Sequence, residues 1–251
     1  MRSPKLNLAV AIFASASLIA ICGSPQSLLA QAKPSGLPPA ILAQMNAASA
    51  RFTSAEADLK LELFTKIVHD TETQTGKVYF ARKEGTTEMG MWLLAPDAAA
   101  SSAPATIIQF KNGILEELTT GTAHVDRFAV TGKNQATAET ATTLGFGGSG
   151  TDLEKSWTIT DQGSEQMSDG GKPVKVEKLD LVSKDPNIRN TYSHITIWID
   201  PVRDVSLKQV SFSASSGDTR TIYYSNIRLN QPVNVAPFAI KCKGKCTVVD
   251  H

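Results

Sequence analysis

The chain has 251 residues, with 25 Lys and Arg against 24 Asp and Glu, a formal net charge of +1, 41% hydrophobic residues and only 6% aromatics. So even a balance excludes the basic footprint of a nucleic-acid binder and gives little pull towards an anionic membrane. The length suits one large β domain or two small ones, and no linker, repeat or charge block argues for two.

The N-terminus carries Arg2 and Lys5, then an apolar run from Leu6 to Cys22, then Ala30-Gln31-Ala32 with Pro34 just beyond. A basic start, a short apolar stretch and an A-x-A site predict a secretory signal peptide over residues 1–32, and the run falls short of the roughly 20 residues that a bilayer span needs. Ile21, before Cys22, is too large for a lipoprotein cleavage site. Cleavage removes Arg2 and Lys5 but no acid, which takes the remainder, 33–251, to about −1. The expectation is one exported domain in the periplasm, working as a monomer.

Residues 38–50, PPAILAQMNAASA, put Ile41, Leu42 and Met45 on one helical face, with enough Ala to favour a short helix. After it, EADLKLELFTKIVHD alternates: Ala57, Leu59, Leu61, Leu63 and Ile67 fall on one face, Asp58, Lys60, Glu62 and Lys66 on the other. Strict alternation predicts a long half-buried strand. GKVYFAR, TEMGMWLLAP, ATIIQF, ILEEL and HVDRFAV follow at short intervals, separated by turn residues, and predict an antiparallel meander. Residues 133–144 are rich in Ala and Thr and predict a helix; TDLE at 151–154 predicts another, with Thr151 as N-cap of a capping box. Strand patterns resume in WTITD, VKVEKLDLV, YSHITIWID, SLKQVSFSA, TRTIYYSNIRL and FAIK, with turns at DPVRD and SSGD.

Between the two helical pieces stands GFGGSG, residues 145–150, which spells G-x-G-x-x-G. That spacing grips a pyrophosphate only when a parallel strand delivers it to a helix inside a βαβ unit. Here it joins two helical pieces of an antiparallel protein, so a flexible loop is expected. No G-x-S-x-G, Walker lysine or zinc spacing occurs, and His69, His124, His194 and His251 are scattered. No catalytic residue, cofactor or metal is expected. In KCKGKC at 241–246, the pair Cys242 and Cys246 with Gly244 between them predicts a small disulfide loop in an exported protein. A metal site would need two further ligands, and C-x-x-x-C is not the C-x-x-C spacing of disulfide oxidoreductases.

Several strands carry large apolar side chains on both faces. Met89, Met91 and Leu93 alternate with Trp92 and Leu94; Ile195, Ile197 and Ile199 alternate with Trp198. Both faces need cover, which a curved sheet wrapped around helices or a plain β-sandwich can each provide.

The order of these pieces resembles the LolA family of periplasmic lipoprotein carriers: the leading helix, SARFTSAEADLKLELF, GKVYFARK, MWLLAP, IIQFKNG, the helical insertion ending at Trp157, then the late strands from VEKLDLV to NIRL. Its firmest parts are Gly76 to Arg82, the Asn112-Gly113 turn and the strands around Asp200 and Asn226. The resemblance implies a mainly β fold, an incomplete antiparallel barrel of about eleven strands closed by a helical lid over a hydrophobic cavity. It also implies acylated lipoproteins or lipids as cargo, taken from an inner-membrane releasing complex to an outer-membrane acceptor. A lipid or glycolipid transporter and a lipoprotein-sensing domain are alternatives on the same fold. Arg82 matches the arginine that ties the barrel rim to the lid, although Lys83 replaces the usual proline after it and Thr86 an aromatic. Candidate cavity residues are Leu59, Leu61, Leu63, Tyr79, Met89, Met91, Trp92, Leu93, Ile197 and Trp198.

Overall fold

A computed structural model describes residues 36–129, 143–242 and 244–251. Residues 1–32, the expected signal peptide, and the stretch 133–142 of the expected helix lie outside them. Helix α1 (Pro39–Arg51) comes first, and twelve strands follow: β1 (Ser54–Thr65), β2 (Asp70–Lys83), β3 (Thr86–Leu93), β4 (Thr106–Lys111), β5 (Ile114–Thr119), β6 (His124–Ala129), β7 (Trp157–Asp169), β8 (Lys172–Ser183), β9 (Tyr192–Asp200), β10 (Val205–Ser213), β11 (Thr219–Leu229) and β12 (Thr247–Asp250). Two short helices interrupt them, α2 (Gly150–Ser156) before β7 and α3 (Pro186–Thr191) before β9.

All twelve strands form one sheet in the order β12-β6-β5-β4-β3-β2-β1-β11-β10-β9-β8-β7. Every neighbouring pair is antiparallel except β12, which runs parallel to β6. The sheet is open, with β12 and β7 at its edges, and it curls. Three strands separate β11 from β7, yet the Ile227 amide on β11 donates to Asp169 Oδ1 at the end of β7, 3.2 Å away. Arg203, in the β9–β10 turn, ties the same place by pairing with Asp169 and Asp200 at 2.8 and 2.6 Å.

Register assigns the faces. Leu59 and Leu61 on β1 lie beside Tyr224 and Ile222 on β11, and Ala55 and Ala57 beside Phe80 and Val78 on β2. Val78 and Phe80 in turn oppose Met91 and Met89, and Met89 opposes Phe110. Because alternate residues share a face, these side chains make one apolar surface across five strands. At the other end of the sheet that surface continues through Leu179 and Leu181 on β8, paired with Ile197 and Ile195 on β9.

Several expectations need correction. Strand β1 ends at Thr65 and the chain turns through His69 at φ 51°, so Ile67, expected on the buried face, is 83% exposed. Strand β7 runs through GSEQMSD, whose polar residues hide it from a hydrophobicity pattern; as an edge strand it needs no second buried face. FAIK is not a strand: Ala236–Phe238 is one 3-10 turn, and the last strand is TVVD, β12. Helix α2 is capped by Ser149, whose hydroxyl accepts the Asp152 amide at 3.0 Å, not by Thr151. Glu154, expected to close the capping box, instead accepts the Leu37 amide at 2.9 Å.

Candidate functional site, a covered apolar face

The concave apolar face is roofed by α1, the loop 143–149 and α2. Phe146 from the loop is wholly buried; its ring stacks on Phe80 at 4.0 Å and meets Tyr224 edge-on at 4.8 Å. Met45 from α1, with Leu144 and Leu153, packs on Ile197, Ile199, Leu179 and Leu181 at the β8–β9 end. The cover therefore meets the sheet with single large side chains set into a greasy floor.

Glycines let the loop come this close. A Cβ on Gly147, which sits at φ 75°, would lie 2.3 Å from the Phe52 ring, and one on Gly145, at φ 74°, would lie 2.6 Å from Ser206 Cβ. Both the left-handed backbone and the missing side chain are required there. The G-x-G-x-x-G spacing thus serves chain packing, with an antiparallel bridge from Phe146 to Val205 in place of any phosphate cradle.

Polar ties hold the cover at one rim. Arg82, near the end of β2, donates from Nη1 to the Ser49 carbonyl of α1 at 2.7 Å and from Nη2 to the Gly147 carbonyl of the loop. The Ser49 hydroxyl also donates to the Gly147 carbonyl, at 2.7 Å. One guanidinium so gathers helix and loop onto the strand, and it lies 5.6 Å from the Phe52 ring centre. On the sheet side, the Asp204 carbonyl accepts the Gly147 amide at 3.3 Å, and Gln209 donates to the Leu144 carbonyl at 2.5 Å.

Beneath this rim lies a cavity of about 480 Å³, within the size range of small-molecule sites. Met45, Leu144, Leu153, Ile197 and Ile199 line its apolar side; Arg82, Asp204, Asp152 and Lys155 are the charged groups that line it. Asp204 is unusual. It is fully buried at φ 58°, and neither carboxyl oxygen has a hydrogen-bond partner. Burial pushes its pKa up to about 8, against the opposing pull of Arg82. Asp152 is the reverse case: the Ser149 hydroxyl and then Lys155 hold its carboxyl below the usual range.

The ten candidate cavity residues fall into three places. Ile197 lines the open cavity. Leu59, Leu61, Met89, Met91 and Leu93 form the floor, packed in the main core and no more than 6% exposed, with Leu63 partly buried beside them. Tyr79 and Trp92 stand on the opposite face, and Trp198, which alternates with Ile197 along β9, still belongs to the main buried cluster. Tyr79 meets Phe238 at 4.8 Å, Trp92 packs with Ile107 and Leu118 under the C-terminal segment, and Trp198 lies beneath Lys208 and Lys178, its indole N–H donating to Glu165 at 2.8 Å. Cys242 and Cys246 form a disulfide that packs against that same outer cluster. Sequence reasoning missed Asp204, Phe146 and Ser49; a buried acid in a D-P-V-R-D turn carries no signal apart from its neighbours in space. Among the described residues, no three His, Cys, Asp or Glu side chains are placed to hold a metal.

No family model matches the chain, and no curated protein is similar to it. Among solved structures it is similar to a LolA superfamily protein from Nitrosomonas europaea, with 12% identity, a TM-score of 0.38, and 80% of this chain and 96% of that one covered. It is also similar to a putative outer membrane lipoprotein-sorting protein domain from Vibrio parahaemolyticus, with 12% identity, a TM-score of 0.41, and 78% and 95% covered. An uncharacterized conserved protein from Thermus thermophilus gives 11% identity and a TM-score of 0.47, with 84% and 98% covered.

Proposed function

We propose that this protein is a non-enzymatic carrier that shields the acyl chains of lipoproteins or lipids in the periplasm, receiving them from an inner-membrane donor and passing them to an outer-membrane acceptor. The observation that carries this reading is a continuous apolar floor under a separate cover that is fastened at its rim by hydrogen bonds to one arginine. Hiding a chain of some 16 carbons is worth on the order of 12 kcal/mol, since each methylene removed from water contributes about 0.8 kcal/mol. A polar cleft could not supply that; a floor of Leu59, Leu61, Met89, Met91 and Leu93 can. Methionine suits the task, because its unbranched side chain repacks around different chains with little loss. Release requires the same flexibility, and a rim of hydrogen bonds can open without dismantling the sheet.

Titration of the purified protein with a solvatochromic fatty-acid probe tests the reading. Saturable binding with a blue shift, displaced by unlabelled acyl chains, is expected. Absence of saturable binding would overturn it.

A further inference from the structure

The concave face carries a cation that the fold does not use. Arg220 on β11 lies directly beside Leu63 of β1 and Ser211 of β10. Leu63 packs against the floor, and so do Ile222 and Tyr224, which share a face with Arg220 by alternation along β11. No hydrogen bond or ion pair joins the Arg220 guanidinium to another described residue, and its Nε is buried without a partner. Of its three nitrogens only Nε is enclosed in this unpartnered state, so Nη1 and Nη2 remain accessible. The charge is felt along the floor: burial raises the pKa of the Tyr224 phenol, and Arg220 pulls it back.

Other arginines show what a structural role looks like. Arg127 pairs with Glu116, Arg203 with Asp169 and Asp200, and Arg228 with Glu56. The acids on the side of Arg220 do not serve it in this way. Asp218, two residues before it, accepts the Lys66 amide at 2.8 Å and the Ser216 hydroxyl at 2.6 Å, and Glu72, opposite Leu63 on β2, is exposed. A guanidinium that loses part of its water without gaining a partner is costly to keep on an apolar floor. Its planar fork matches the paired oxygens of a carboxylate or a phosphate, whereas an ester or an alcohol leaves the charge unanswered. Burial also falls off towards this end of the face: Leu59 and Leu61 are buried, Leu63 and Arg220 half-buried. An amphiphile laid along that gradient has its chain inward and its head at Arg220.

We propose that Arg220 binds the oxyanion head, phosphate or carboxylate, of an amphiphile whose acyl chain lies over Ile222 and Leu61, so that the protein selects chains with an anionic head over chains with a neutral one. This rests on the carrier reading and names the cargo class of the same face.

The test is displacement of the methyl ester of the solvatochromic probe, whose head is neutral, from the purified protein at neutral pH. The competitors are hexadecyl phosphate, palmitate, methyl palmitate and inorganic phosphate, each below micelle-forming concentration. In the wild type, hexadecyl phosphate and palmitate are expected to compete at least roughly tenfold better than methyl palmitate, the effect of one charge-assisted hydrogen bond. Inorganic phosphate, which has no chain, should not compete. Arg220→Met and Arg220→Gln both remove the charge, one with an apolar and one with a polar side chain, so that a folding failure of either, checked by thermal melting, leaves the other. Each should abolish the preference and leave methyl palmitate binding unchanged. Equal competition by charged and neutral chains in the wild type, or a preference that survives both substitutions, overturns the inference while leaving the carrier reading standing. Displacement by inorganic phosphate as strong as that by hexadecyl phosphate would mean a site for free anions and overturns it too. Failure of the methyl-ester probe itself to bind overturns both.

Discussion

The two faces of this sheet are covered by two different kinds of roof. On the concave side, α1, the loop and α2 meet the floor through Phe146 and Met45 and are tied at the rim by Arg82. On the opposite side, the C-terminal segment lays Phe238 against Tyr79, packs Ile240 and the Cys242–Cys246 disulfide on Ile107, Leu118 and Val125, and ends as β12 paired along β6. Close packing is required there: a Cβ on Gly90 would lie 2.3 Å from the Tyr79 ring and 3.0 Å from Phe238 Cβ. One roof joins the sheet through the ladder of β12 along β6, with a disulfide closing a loop inside the segment; the other meets the sheet through a single bridge, Phe146 to Val205, and side-chain hydrogen bonds at the rim. Both hide apolar residues, so burial alone does not distinguish a structural cover from a functional one. The nature of the fastening does.

The largest effect that breaks this contrast is expected at the rim. Arg82→Met removes two hydrogen bonds from a charged donor and leaves the Ser49 and Gly147 carbonyls without it, at a cost of about 3 kcal/mol. Hydrogen exchange should show amides of α1 and the loop 143–149 losing protection roughly a hundredfold while β12 and β6 stay unchanged. Equal loss on both faces would mean that the sheet, and not the cover, had been loosened. A smaller effect, about 2 kcal/mol, is expected from Cys242→Ser with Cys246→Ser. Faster exchange should then be confined to the C-terminal segment, where the Thr247 amide donates to the Ala123 carbonyl, and acyl-probe affinity should not move.

Much of this architecture is written in local sequence. The alternation of Leu59, Leu61 and Leu63 marks β1, and Asn112-Gly113, with both φ values positive, makes the turn between β4 and β5. Two-faced strands such as β3 and β9 announce that both sides need cover, but the pattern is symmetric and says nothing about which side faces the helices. That choice is made by partners far away in sequence: Phe146 for Phe80, and the C-terminal segment for Trp92. The polar half of β7 and the short β12 escape notice because edge strands draw stability from backbone pairing more than from apolar side chains. Asp204 escapes for a related reason. Its turn, D-P-V-R-D, reads as solvated, yet the Gly147 amide donates to the Asp204 carbonyl and the residue is fully buried.

The central claim is that an acyl chain enters between the cover and the concave floor. Photolabelling with a diazirine-bearing palmitoyl probe, followed by mapping of the modified residues, tests it most directly. The account predicts labels on Met45, Leu144, Leu153 and Ile197 around the cavity and on Met89 and Met91 of the floor. Labels confined to exposed apolar positions such as Ile67, Val68 and Val202, or no site-specific label at all, would contradict it.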